Sequence, residues 1–170
     1  RDTYLQMNSA LCFDTVSDMK NSTILVNGST AKTLGYHSIS DKGGAFYKIR
    51  EIEVSDTIDE ANLIALTDDS LVAELVIPSY VNPEIYGAYG DGIHNDKTAI
   101  QKAFDSNARI VYLDKKYLID DSILFKGSNR QISGHGYLTC SGSNPALIIN
   151  GVNLVIEMAS IIAPNCIKIS

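Results

Sequence analysis

From residue 109 onward the chain is a series of short apolar β-forming runs separated by Gly, Asn, Ser and Asp, and the runs repeat. At an offset of 22 residues Ile110 falls on Ile132 and then Leu154, Leu118 on Cys140 and Ile162, and Phe125 on Leu147 and Ile169. Tyr112 and Ile156 also coincide, with Gly134 between them. Three apolar columns per period suit a solenoid coil with three short faces, each pointing one side chain inward. Successive coils stack those side chains into rows, so stability comes from neighbouring coils. The columns are rich in Ile, Leu and Phe, as stacked parallel strands require. A leucine-rich repeat has a similar period, but its Leu-x-x-Leu-x-Leu signature is missing. The pattern predicts a parallel β-helix, with an antiparallel sandwich of short strands as the main rival.

Upstream, Ala99, Ile100, Ala103 and Phe104 form an apolar stripe at helical spacing, which predicts a helix over 96–106 capped by Asn95 or Asp96. Such a helix would cover the first coil, whose core and sheet edge would otherwise be open. Tyr86 to Gly92 is too glycine-rich for a helix or central strand and lets the chain bend into that cap. Pro78 and Pro83 bracket a linker. Before it, Ala45 to Arg50 alternates as a strand, Thr30 to Tyr36 favours extended backbone, and Asn62 to Leu66 and Leu71 to Ile77 look like two more strands. Phe13 to Lys20 reads as a short helix capped by Asp14, with Phe13, Val16 and Met19 on one face. Residues 13–77 therefore make a small helix-and-antiparallel-strand module, whose modest core implies support from a neighbour or from other subunits. The whole is mainly β: a small α+β N-terminal module, then the capped start of a right-handed parallel β-helix.

Composition narrows the function. Across 170 residues the chain is 45% hydrophobic and 20% charged with a net charge of −6, which disfavours nucleic acid and anionic membranes as partners. No apolar run has membrane-spanning length. Cys12, Cys140 and Cys166 form no CxxC pair and read as buried free thiols.

Two segments carry a family resemblance. The run from Tyr86 to Phe104 (YGAYGDGIHNDKTAIQKAF), followed by Ile110 to Leu113, resembles the opening of the pectate-lyase-like β-helix superfamily, which includes many phage tailspikes and polysaccharide hydrolases. Asn95 and Lys97 depart from the usual acid and threonine of that opening. The run from Phe13 to Ile49 resembles a small module that precedes the β-helix in phage tailspikes and appendages; its marks are T-V-x-D-M-K, T-L-G-Y and G-G-x-x-Y-x-I. The resemblance implies an N-terminal attachment segment at 1–12, a virion-proximal module at 13–80, and the cap and first coils of the β-helix at 81–170. It implies a tailspike or tail or collar appendage of the virion that binds or cuts host surface polysaccharide through coils beyond Ser170. It also implies sister subunits, as a homotrimer, and a tail or collar protein as partners. A free-standing polysaccharide hydrolase or lyase and a non-enzymatic structural adhesin are the alternatives.

Within these residues no catalytic, cofactor or metal site is expected. Asp91, Asp96 and Asp121 could be imagined as a glycosidase acid pair, but Asp91 suits a tight glycine turn, Asp96 a helix cap, and Asp120-Asp121 a corner between β faces. The acids of the resembling enzymes usually lie on later coils, so this stretch is expected to be inactive. His37, His94 and His135 lack metal-ligand spacing. Gly87, Gly90 and Gly92 are not a dinucleotide fingerprint, and Lys115-Lys116 reads as a solvated corner. Tyr4, Leu5, Met7, Leu11 and Phe13 are the candidate partner-binding residues. They either pack on their own module or dock on a virion protein or sister subunit. Ile169 falls inside a strand of the repeat, so the polypeptide is expected to continue past Ser170.

Overall fold

The computed structural model describes residues 10–106, 108–153, 155–157, 160–163 and 167–169. The chain divides into two compact units, Arg1–Val76 and Ile77–Ser170.

The first unit is a five-stranded sheet in the order β1-β2-β3-β5-β4, formed by β1 (Leu11–Phe13), β2 (Thr30–Thr33), β3 (Phe46–Glu51), β4 (Leu63–Ala65) and β5 (Leu71–Leu75). The alternation predicted for β3 holds, since Tyr47 and Ile49 are fully buried while Phe46 and Lys48 are exposed. Pairing is antiparallel except between β1 and β2, which run parallel. The helix α1 (Val16–Lys20) is shorter than expected. Phe13 is not on it but ends β1, opposite Thr33. Its cap is Thr15 rather than Asp14: Thr15 Oγ1 accepts from Asp18 N and the Asp18 carboxylate accepts from Thr15 N, a reciprocal capping box. Val16 and Met19 supply the buried face. The extended run from Thr30 stops at Thr33. The following loop is gathered by Asp41, whose carboxylate accepts backbone N–H groups of Tyr36, His37, Ser38 and Gly43 at 2.6–3.1 Å.

The second unit is a parallel β-helix built from three sheets. Its first coil begins inside the expected linker: β6 (Tyr80–Val81) pairs in parallel with β8 (Ile110–Tyr112), and Pro83–Tyr86 is a buried 3-10 turn. One sheet continues through β11 (Gln131–Ser133) to β14 (Val155–Glu157). A second holds β7 (Asp91–Asn95), β9 (Lys116–Ile119), β12 (Tyr137–Cys140) and β15 (Ser160–Ile162). The third holds β10 (Ile123–Ser128), β13 (Leu147–Val152) and β16 (Ile167–Ile169). The expected helix is α2 (Lys97–Asp105), and Ala99, Ile100, Ala103 and Phe104 are all buried as its stripe required. Gly87, Gly90 and Gly92 adopt positive φ, as the sharp entry into the cap demands.

The coils are present, but the rows differ from those of a constant 22-residue offset. Val111, not Ile110, stacks on Ile132, and the next member is Ile156. Tyr112 pairs with Ser133, which in turn pairs with Glu157. Leu118 meets Thr139 and Ile162, and that row faces outward, with Ile162 54% exposed. The inward row beside it is Tyr117–Leu138–Ile161, and Cys140 lies over Ile119. Phe125 stacks on Ile149 and Ile169, while Leu147 pairs with Ile123 and Ile167. The offset is 21 residues from β8 to β11 and from β9 to β12, and it becomes 24 from β10 to β13 and from β11 to β14, where the corner 141–146, longer than the equivalent corner 120–122, intervenes. Strands must keep hydrogen-bond register, so corners absorb insertions and the sequence period drifts. Gly142 permits this corner its close approach, because a Cβ there would lie 2.3 Å from the Asp120 carbonyl oxygen.

The cap is fastened by two polar side chains. Gln101 Oε1 accepts from Leu124 N at 2.8 Å and Gln101 Nε2 donates to Leu124 O at 3.0 Å, so the amide replaces a neighbouring strand at the edge of β10. Arg130 Nε donates to Ala108 O, and its Nη1 donates to Phe104 O and Lys126 O, with the guanidinium 5.0 Å from the Phe125 ring centre. It thereby satisfies carbonyls at the end of α2 that the helix leaves without partners.

Candidate functional site

The three acids that could have formed a glycosidase pair each have a structural partner. Asp91 Oδ1 accepts from Ile93 N and His94 N, and its Oδ2 lies 2.7 Å from His94 Nδ1. The backbone N–H groups of His94 and Ile93, then the imidazole, hold this carboxyl down at about 2. Asp121 accepts from Asn144 Nδ2 at 2.9 Å and from Lys97 Nζ at 3.3 Å, and those bonds, Asn144 first, also lower it to about 2. It sits at the expected corner. Asp96 occupies the N-cap position of α2, but its side chain makes no cap bond. It turns back instead to accept from Tyr89 N at 2.8 Å and Gly90 N at 3.0 Å, binding the glycine-rich bend to the helix. Asn95 Oδ1 accepts from Lys97 N at 3.1 Å. Burial raises the Asp96 pKa despite these bonds.

A polar cluster lies beneath the same bend. Glu84 is 1% exposed and accepts from Tyr117 Oη at 2.7 Å. Burial, then the Glu84 charge, raises the Tyr117 phenol. Lys115 Nζ lies 3.9 Å from Glu84 and donates to Tyr89 O, so it belongs to this cluster rather than to a freely solvated corner. Tyr89 stacks on His94 with ring centres 4.1 Å apart. Glu84, Tyr117, Lys115 and Tyr89 are thus joined to one another. Among the described residues no group of three or more His, Cys, Asp or Glu side chains could hold a metal ion. Among the described residues no helix is long and apolar enough to cross a membrane.

Of the candidate partner-binding residues, Leu11 and Phe13 lie on β1, an edge strand of the first sheet, and both are half-buried. Tyr4, Leu5 and Met7 fall outside the described residues, as does Cys166. Cys140 is buried as expected, whereas Cys12 is exposed because it points away from the face that buries its neighbours.

No family model and no curated sequence matches the chain. Solved structures do. The enzymatically active domain of bacteriophage CBA120 tailspike protein 2 superposes with a TM-score of 0.62 at 18% identity, covering 88% of this chain and 22% of the other. The tailspike of Acinetobacter baumannii bacteriophage Fri1, a capsular polysaccharide depolymerase, gives a TM-score of 0.73 at 16% identity, covering 86% and 32%. Pantoea stewartii WceF, a glycan biofilm modifying enzyme with a tailspike-like parallel β-helix, gives 0.57 at 14% identity, covering 85% and 26%. This chain has the tailspike-like β-helix fold. It spans between a fifth and a third of the length of those tailspike-like structures.

In this tailspike-like unit, Glu84, Gln101, Tyr117 and Arg130 carry polar work that residue patterning does not single out. Each acts across 22 or more residues of chain, on a partner whose position depends on coil register. The one sequence signal available was a polar residue, Glu84, inside an otherwise buried Pro-Glu-Ile-Tyr run.

Proposed function

We propose that the chain is the N-terminal part of a phage tailspike or tail or collar appendage. Residues 1–12 attach to the particle, 13–80 form the virion-proximal module, and 81–170 begin the β-helix that presents a surface for binding or degrading host polysaccharide. The observation that carries this reading is the order of parts: a small sheet module, then a helix-capped parallel β-helix, matched by several tailspikes over most of the chain. Asp91, Asp96 and Asp121 bond at the bend and at a corner, so the polysaccharide-cutting groups would belong to later coils of a longer protein, with this stretch inactive by itself. The module's modest core favours assembly, and a homotrimer joined to a tail or collar protein through Tyr4, Leu5, Met7, Leu11 and Phe13 fits that need. Likeness to the Pantoea enzyme favours a second reading, a glycan-modifying enzyme that acts without a virion.

Immunogold electron microscopy with antibodies to residues 13–80 tests the choice. Labelling at the tail or collar of particles from the source phage is the expected result. Label found only on soluble protein, with glycan cleavage by the full-length product, would favour the second reading.

A further inference from the structure

The chain carries a net charge of −6, yet one cleft of about 380 Å³ gathers Arg109, Lys126 and Arg130. It lies at the C-terminal end of α2, where the turn after β10 meets the entry to β8. Arg109 and Arg130 immediately precede β8 and β11, and Gln131 N donates to Arg109 O at 2.9 Å, so the two arginines occupy equivalent places on adjacent coils. Asp105 is the acid on the cleft wall, and it is paired with Lys126 at 3.8 Å. Among the described residues no carboxylate lies within ion-pair distance of Arg109 or Arg130. Arg130 is held by neutral carbonyl oxygens, and its Nη2 is buried without a partner among the described residues. Like charges on adjacent coils repel, and a bound anion would offset that cost. Ser128 and Asn129 line the same cleft and suit hydroxyl groups. The volume falls in the range of small-ligand sites.

We infer that this cleft binds an acidic saccharide unit, its carboxylate at Arg109 and Lys126 beside the Arg130 guanidinium and its hydroxyls toward Ser128 and Asn129. Charge placement and hydroxyl-compatible lining together favour a sugar acid over a bare anion or an acidic peptide. The site is independent of virion attachment: particle labelling can fail while the cleft binds, and the reverse.

Calorimetric titration of the 170-residue chain with trigalacturonate tests it, alongside maltotriose, sodium sulfate and tetraglutamate. Trigalacturonate should bind at least about tenfold more tightly than the other three, and binding should weaken with added salt. The double variant R109Q/K126Q, which leaves Arg130 and its carbonyl bonds in place, should lose about tenfold in affinity with its thermal midpoint unchanged. No trigalacturonate binding, equal binding of any of the other three, or an unaffected double variant would overturn the proposal.

Discussion

The two units use polar side chains differently. In the first, carboxylates gather nearby backbone: Asp41 binds residues 36–43, Asp59 binds 61–63, and Asp68 binds Ser70. In the second, beyond the bend held by Asp91 and Asp96, polar side chains reach to the next coil. Asn144 meets Asp121, Asn153 meets Asn129, Gln131 meets Glu157, and Ser122 donates to Pro145 O. Local bonds shape loops that the sheet then joins. Inter-coil bonds specify which residue stacks on which, a choice that parallel strands with similar apolar faces leave underdetermined. The module thus depends on turns and the β-helix on register.

The largest effect expected from breaking this division lies in the stacked core. Phe125 is fully buried on the Phe125–Ile149–Ile169 row, with its ring 5.0 Å from Phe104 on the cap helix. Phe125→Ala should cost about 3–5 kcal/mol in denaturant unfolding followed through the β-helix. A loss below 1 kcal/mol would mean the row is loosely packed. Next, Arg130→Ala removes three charge-assisted bonds to carbonyls and should cost about 1.5–3 kcal/mol. Hydrogen exchange at the C-terminal end of α2 should quicken, while the module's amides stay as protected as before. In the module, Thr15→Ala deletes one half of the capping box and should cost about 1 kcal/mol, read from the protection of the α1 amides. An effect equal to that of Phe125→Ala would erase the contrast.

The smallest expected effect is on pH dependence, and two acids of the same bend should oppose each other. The depressed Asp91 carboxyl contributes stability present above the ordinary aspartate value, lost as pH falls toward about 2. The raised Asp96 carboxyl works the other way: its contribution is present at low pH and lost as pH rises through its folded value. Carbon-detected titration of both carboxyls checks this, and Asp91→Asn should flatten the acid limb of the stability curve. Two carboxyls titrating together at the ordinary value would refute the assigned bonds.

Some of this was legible from residue order alone. The alternation of β3 and the apolar stripe of α2 needed only local periodicity, and both match the observed burial. The coil repeat was visible because neighbouring coils must each supply apolar faces, and its mean spacing survived the uneven corners. The turn at Asp91 was also legible, since aspartate beside glycine readily accepts from its own backbone.

Tertiary structure alone decided the rest. Register is set by hydrogen bonding between coils and not by sequence distance, so Val111 rather than Ile110 stacks on Ile132, and the longer corner at 141–146 puts Phe125 on Ile149 rather than Leu147. Asp96 makes no capping bond because its carboxylate accepts instead from the N–H groups of Tyr89 and Gly90 in the glycine-rich bend. Gln101 became a substitute strand, and Arg130 a clasp, only where the cap met the first coils. Leu124 lies 23 residues from Gln101 and Phe104 lies 26 from Arg130, so local pattern determined what each segment could become and the stacking of coils determined what these two side chains would hold.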